Sequence, residues 1–225
     1  MHDVIIIGAG VIGSGIAREL SRYDCGVVVL DKAEDVCCGT SKANSGIVHA
    51  GFDAKPGTKM ARYNVAGASL MPDLCAELDV PYINNGSLVL CFDEDKMGHL
   101  QTLYEQGCKN GVEDLKIISG DEVRRMEPCV SDEVVAALWA PTAGIVDPFM
   151  LTVAYAENAS QNGVQFIFNQ KVDDVQKSDA GYRVITADTT YEASVVINAS
   201  GLYADSFYNG DAAAKPTLHI TPRRG

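Results

Sequence analysis

Apolar positions change their spacing several times along the chain, which is the pattern of alternating strands and helices. Asp3–Ile7 is an unbroken apolar run after its first residue and ends at glycine, which predicts a strand buried on both faces. Val11–Tyr23 carries Ile12, Ile16 and Leu20 at helical spacing, predicting a helix with those three on its inner face. Gly26 interrupts, and Val27–Asp31 repeats the buried-strand pattern. Strand, glycine turn, helix and strand within about thirty residues make a βαβ unit, with a right-handed crossover.

Farther on, a loop dense in small polar residues spans Val36–Gly57, and a long helix is expected over Thr58–Leu78. Tyr82–Phe92 is strand-like around the Asn85-Gly86 turn signal. Asp93–Asn110 places Met97, Leu100, Leu103 and Tyr104 on one helical face. A short strand (Leu115–Ile118), a short helix (Ser119–Met126) and a strand (Val134–Ala140) follow. Asp147-Pro148 is a good helix start, and that helix stops at Gly163. Strands are expected at Val164–Phe168, Lys171–Gln176, Tyr182–Thr186 and Ser194–Ala199, then a helical turn at Ala204–Tyr208 and a strand at Thr217–Thr221. The chain stops just after that last strand, as a fragment of a longer protein would.

The 225 residues include 18 Lys+Arg and 30 Asp+Glu, a net charge of −12. Such a chain repels phosphate backbones, so no nucleic-acid partner is expected. No apolar run approaches the roughly 18 residues of a membrane span, and Met1-His2-Asp3 lacks the basic start of a signal peptide. A cytoplasmic chain, at most peripheral to a membrane, is expected. Seven cysteines without a C-x-x-C pair fit reduced thiols and predict no metal site.

The strongest motif is Gly8-Ala9-Gly10-Val11-Ile12-Gly13, a G-x-G-x-x-G between strand and helix, with Asp31 closing the next strand. Gly8 would make the tight turn, Gly10 would let a diphosphate reach the backbone, and Gly13 would let the helix close on the strand. The N–H groups of Val11 and Ile12 would face the diphosphate at the helix start, and Asp31, followed by Lys32, would take the adenosine ribose. The fingerprint alone leaves FAD and NAD open. Gly39–Gly51 then replaces the further crossover helix of an NAD domain with small and hydroxyl residues suited to an extended cofactor. Val195–Ala199 runs as an apolar strand into Ser200-Gly201, again small residues at a strand's carboxyl end.

Together with Pro141–Pro148 and Asn198–Asp205, these stretches resemble the FAD-dependent D-amino-acid-oxidase superfamily. Within it the chain is most similar to the glycerol-3-phosphate dehydrogenase and L-2-hydroxyglutarate dehydrogenase branch, over essentially its whole length. The resemblance implies an α/β fold: a discontinuous Rossmann-like FAD-binding domain with an inserted β-rich α+β substrate domain, and a C-terminal part that this chain lacks. The segments expected are 1–80 and 145–210 for FAD, with 81–144 and 211–225 for substrate. It further implies that Thr40, Ser41, Asn44, Ser45 and Gly46 line the flavin side, that Val172 meets the adenine end through its backbone, and that Ala199, Ser200 and Gly201 lie against the cofactor.

The implied reaction oxidises the secondary alcohol of a small anionic substrate and passes electrons to a quinone, a partner protein or oxygen. Glycerol 3-phosphate is the first expectation, L-2-hydroxyglutarate the alternative, and an FAD-binding fragment without turnover a further one. His49, in the loop expected near the flavin, is the candidate base, because imidazole exchanges protons close to neutral pH; a covalent flavin tether and a purely positional role are the other readings. Lys59 with Arg62, three apart near a helix start, and Arg223 with Arg224 are candidate partners for the substrate anion, or else solvated surface charge.

Overall fold

A computed structural model of the chain describes residues 1–208 and 219–222. It opens with β1 (His2–Ile7), α1 (Val11–Leu20) and β2 (Val27–Leu30). The chain next forms β3 (Ile47–Val48), α2 (Lys59–Glu77), β4 (Tyr82–Ile83), β5 (Ser87–Cys91), α3 (Met97–Asn110), β6 (Lys116–Ser119), α4 (Gly120–Met126), β7 (Ala136–Ala140) and β8 (Gly144–Val146). It ends with α5 (Pro148–Gln161), β9 (Gln165–Ile167), β10 (Val172–Ser178), β11 (Gly181–Thr186), β12 (Thr190–Asn198) and α6 (Ala204–Tyr208).

Two compact units result: Met1–Ser45 with the chain from Pro148 onward, and Gly46–Asp147. The first holds a six-stranded sheet in the order β10-β11-β12-β1-β2-β9. β12, β1, β2 and β9 run parallel, and β10 and β11 add an antiparallel meander beside β12. One sheet face packs Val4, Ile6, Val27 and Val29 against Ala17 of α1 and Ala159 of α5; the other gathers Ile5, Ile7, Val28 and Leu30 with Val172, Val184 and Ala193. Burial on both faces is why β1 and β2 contain only apolar residues where they pair.

The second unit contains two antiparallel three-stranded sheets, β3-β8-β4 and β5-β7-β6, with α2, α3 and α4. Its core joins Phe52, Leu100, Leu115, Leu138 and Ala140. α3 ends on Gly111 at φ +86, the left-handed cap glycine adopts freely.

Several expectations change. α1 stops at Leu20, and Ile12 is 63% exposed, because Gly13, Ser14, Ala17 and Arg18 form its buried face. The run Tyr82–Phe92 is two strands that do not pair with each other: β4 joins β8 and β5 joins β7, so Asn85-Gly86 links two sheets. Ile47, Ile145 and Ile83 stand in cross-strand register in two strands of two residues and one of three; β3 falls within the expected Val36–Gly57 loop, and β8 between the expected strand Val134–Ala140 and the helix start at Asp147. β12 starts earlier than expected, at Thr190, extended by its pairing with β11. The two compact units meet at 45/46 and 147/148, and α2 packs with α3 and β4. Of the expected strand Thr217–Thr221, residues 217 and 218 lie outside the described residues, and His219–Thr221 form no strand.

Gly86 has φ +70, and a Cβ there would enter the ring of Trp139. Gly86→Ala is therefore expected to cost about 1–3 kcal/mol by overpacking. Gly98, in α3 with open space around it, should gain up to about 1 kcal/mol as alanine. Thermal unfolding of the two variants checks the contrast.

α4 starts with a capping box: Ser119 accepts the Glu122 N–H, and the Glu122 carboxylate accepts the Ser119 N–H at 2.9 Å and its hydroxyl at 2.8 Å. These bonds hold Glu122 below the usual glutamate pKa. A lowered folded pKa contributes stability that is present above the unfolded pKa and lost as pH falls through the folded one. Glu122→Gln should thus lose less stability than the parent between about pH 5 and about pH 3, as measured by denaturant midpoints across that range.

Candidate cofactor site

The carboxyl ends of β1, β2 and β12 converge in the first unit. β2 lies on one side of β1 and β12 on the other, so the chain turns in opposite directions there, the place where open α/β sheets bind ligands. Gly8 leaves β1 at φ +107, and a Cβ on it would lie 2.5 Å from the carbonyl oxygen of Ala199. The Ala199 N–H donates to the Ile7 carbonyl at 2.9 Å, which sets this spacing. A Cβ on Gly13 would run into the Gly8 carbonyl, so α1 can close on β1 only with glycine there. Gly10 differs: its backbone is extended and its missing Cβ would meet only Ser41 Oγ, at 3.1 Å. Its small size thus leaves room beside the backbone, and Gly13 serves packing.

α1 has no side-chain cap of its own at Gly10. Ser41 Oγ, 30 residues away, accepts the Val11 N–H at 2.9 Å, and Ile12 projects its exposed side chain from the same turn. The first-turn N–H groups and the helix dipole make this end favourable for a phosphate. Asp31 follows β2 half-buried. Its Oδ2 accepts the Ala9 N–H at 2.7 Å and its Oδ1 the Ala33 N–H at 2.8 Å. Each oxygen keeps a lone pair for a sugar hydroxyl. These residues fit an adenine dinucleotide: a side-chain-free backbone at Gly10, a helix start whose Val11 N–H already meets an oxygen, that of Ser41, and an acceptor at Asp31 with lone pairs to spare.

The remaining residues divide between the two units. Thr40 and Ser41 lie in a 3-10 turn, and Asn44 Nδ2 ties that turn by donating to the Ser41 carbonyl at 2.8 Å. Ser45 ends the first unit's opening segment. Val172 begins β10, and the residues just before it are bonded to the Asp31 turn: Gln170 N–H to the Asp31 carbonyl and Asn169 N–H to the Ala33 carbonyl, both 2.8 Å. Ser200 Oγ–H and N–H both donate to Asn198 Oδ1, and Gly201 turns at φ +58. The Lys32 ammonium rests 3.5 Å from the ring centroid of Tyr203, a partner that no spacing in the sequence announced.

In the second unit, the Gly46 carbonyl accepts the Val146 N–H at 2.9 Å. His49 follows β3 with an exposed side chain, and its carbonyl accepts Asn64 Nδ2 of α2 at 2.6 Å. Lys59 and Arg62 lie exposed at the start of the same helix, which begins on the Thr58 cap. The structure thus ties His49 to the helix that carries both cations. Arg223 and Arg224 lie outside the described residues.

The FAD dependent oxidoreductase family (DAO) matches residues 3–225. The chain belongs to that family. This family membership makes FAD its cofactor. The chain is 49% identical over 225 residues to a glycerol 3-phosphate dehydrogenase of Caloramator mitchellensis, covering 100% of this chain and 46% of that protein. It is 30% identical over 225 residues to an L-2-hydroxyglutarate dehydrogenase of Indibacter alkaliphilus, covering 99% and 56%. Among solved structures, the dithionite-reduced L-alpha-glycerophosphate oxidase of Mycoplasma pneumoniae with FAD bound aligns at TM-score 0.82 and 33% identity, over 91% of this chain and 55% of that one. The chain spans about half the length of these relatives. No helix among its described residues is long and apolar enough to cross a membrane, and no group of three or more His, Cys, Asp or Glu among them could hold a metal ion.

Gly10 and Gly13 separate binding from folding. Gly10→Ala is expected to keep the apoprotein's melting temperature while weakening FAD at least tenfold, since a methyl group fills the diphosphate opening. Gly13→Ala should lower the melting temperature itself. FAD titration and apoprotein melting, run on both variants, check this.

Proposed function

We propose that this chain belongs to an FAD-dependent dehydrogenase that oxidises the secondary alcohol of glycerol 3-phosphate to dihydroxyacetone phosphate. The observation that carries the reading is the convergence of Gly8, Gly10, Asp31 and Ala199 at the carboxyl ends of β1, β2 and β12. The 49% identity to a glycerol 3-phosphate dehydrogenase supports the substrate.

FAD, when bound, supplies the two-electron acceptance that no side chain offers. Gly8, Gly10, Val11, Ile12 and Gly13 would receive its diphosphate, Asp31 and Lys32 its ribose, and Val172 its adenine through the backbone. Thr40, Ser41, Asn44, Ser45, Gly46, Ala199, Ser200 and Gly201 would line the rest. His49 takes the substrate's hydroxyl proton on an imidazole nitrogen, which makes the carbinol carbon a better donor of electrons. Lys59 and Arg62 hold the substrate phosphate, with Arg223 and Arg224 as further cations. Support for this pairing comes from Asn64, which fastens the His49 backbone to the helix bearing Lys59 and Arg62. Electrons then pass to a quinone, a partner protein or oxygen. A reducing, cytoplasmic setting is supported by seven cysteines present as free thiols.

The test is anaerobic. The purified protein should absorb near about 450 nm, as flavins do, and bleach on adding glycerol 3-phosphate but not L-2-hydroxyglutarate. Bleaching by L-2-hydroxyglutarate alone would transfer the assignment to the 2-hydroxy acid. A flavin that neither compound bleaches would leave a binding fragment without turnover. His49→Ala should retain flavin while the bleaching rate falls roughly a hundredfold or more; an unchanged rate removes the base.

A further inference from the structure

The ribose acceptor Asp31 is itself held in place, and the lacing that holds it leads to one side chain. Its N–H donates to the Ile167 carbonyl at 3.1 Å, and its own carbonyl accepts the Gln170 N–H at 2.8 Å. Ala33, whose N–H fixes Asp31 Oδ1, gives its carbonyl to the Asn169 N–H at 2.8 Å. Asn169 makes this possible by adopting φ +56, a left-handed conformation that asparagine tolerates better than most residues. The turn after β9 is thus stitched along the turn after β2.

The Gln170 side chain adds a second tie, from the β9 turn to the antiparallel meander. Its Oε1 lies 3.1 Å from the hydroxyl of Thr186, at the end of β11, and 3.4 Å from the hydroxyl of Tyr191, in β12. Thr186 is buried; its oxygen accepts the Thr189 N–H at 3.2 Å, and its one hydroxyl hydrogen is shared between Gln170 Oε1 and the Thr189 carbonyl at 3.0 Å. The amide bridges from the meander to the loop that orients the acid.

We propose that Gln170 is a positioning residue for the adenosine half of FAD, acting through Asp31. This rests on the cofactor reading above. A fixed carboxylate need not be ordered when ribose arrives, so its hydrogen bonds contribute more to affinity. Removing the Gln170 amide would free the 31–33 turn and weaken any ligand that uses the ribose acceptor.

The experiment measures dissociation constants of FAD and ADP, with apoprotein melting, for the parent, Gln170→Met, Thr186→Val, Asp31→Ala and the Gln170→Met/Asp31→Ala pair. Methionine keeps the length of glutamine and loses the amide; the threonine variant reaches the same bridge from its other end. FAD and ADP should each weaken roughly three- to tenfold in both bridge variants, the worth of a hydrogen bond or two. In the Asp31→Ala background, Gln170→Met should add nothing. Unchanged FAD affinity in both bridge variants overturns the proposal, as does a loss that persists undiminished without Asp31. Failure of the parent to bind FAD or ADP would overturn the cofactor reading, and this proposal with it.

Discussion

The Gly8 turn lies close against the backbone at Ala199, and the cofactor site depends on that approach. The Ala199 N–H bonds to the Ile7 carbonyl, which brings the carboxyl ends of β1 and β12 side by side and leaves no space for a Cβ on Gly8. Gly13 repeats the constraint from the helix side, where any side chain would strike the Gly8 carbonyl. With both satisfied, the start of α1, the end of β2 and Ala199 lie at the carboxyl ends of neighbouring strands, where the strand order reverses. A helix start held in this way is favourable for an anion through its dipole.

Much of this was legible in the sequence because it is local. The apolar runs Val4–Ile7 and Val27–Leu30 could be only buried strands, and glycine spacing between them carried the turn, the opening and the helix contact in six residues. Asp31 was legible from its place at the end of the second run. The resemblance to a known family added the residues far along the chain, Val172 and Ala199–Gly201, whose meaning no local period carries. In the described structure Ala199 bonds to Ile7 at the end of β1, and Asn169 and Gln170, just before Val172, bond to the Asp31 turn.

The failures are equally physical. Ile12 has a helical period that agrees with Ile16 and Leu20, but the helix meets the sheet through its small residues, so the isoleucine is turned outward. β3, β4 and β8 have two or three residues each, too few to display a period of two; their register of Ile47, Ile145 and Ile83 exists only once distant segments pair. Asn85-Gly86 is a sound turn signal, yet a turn does not say which strands it joins. Gln170 was invisible because its importance lies in Thr186 and Tyr191, 16 and 21 residues away. The packing of the long helix α2 was invisible for the same reason, since its partners α3 and β4 follow it in the chain.

The single tryptophan has a consequence of its own. Trp139 lies in β7, within the Gly46–Asp147 unit, and the Met1–Ser45 segment and the chain from Pro148 onward contain no other. Indole emission therefore reports on the inserted unit alone, from a ring seated against Gly86. Compared with the far-ultraviolet dichroism of the whole chain, it separates melting of the insertion from melting of the dinucleotide-binding scaffold, in the natural sequence and without a label.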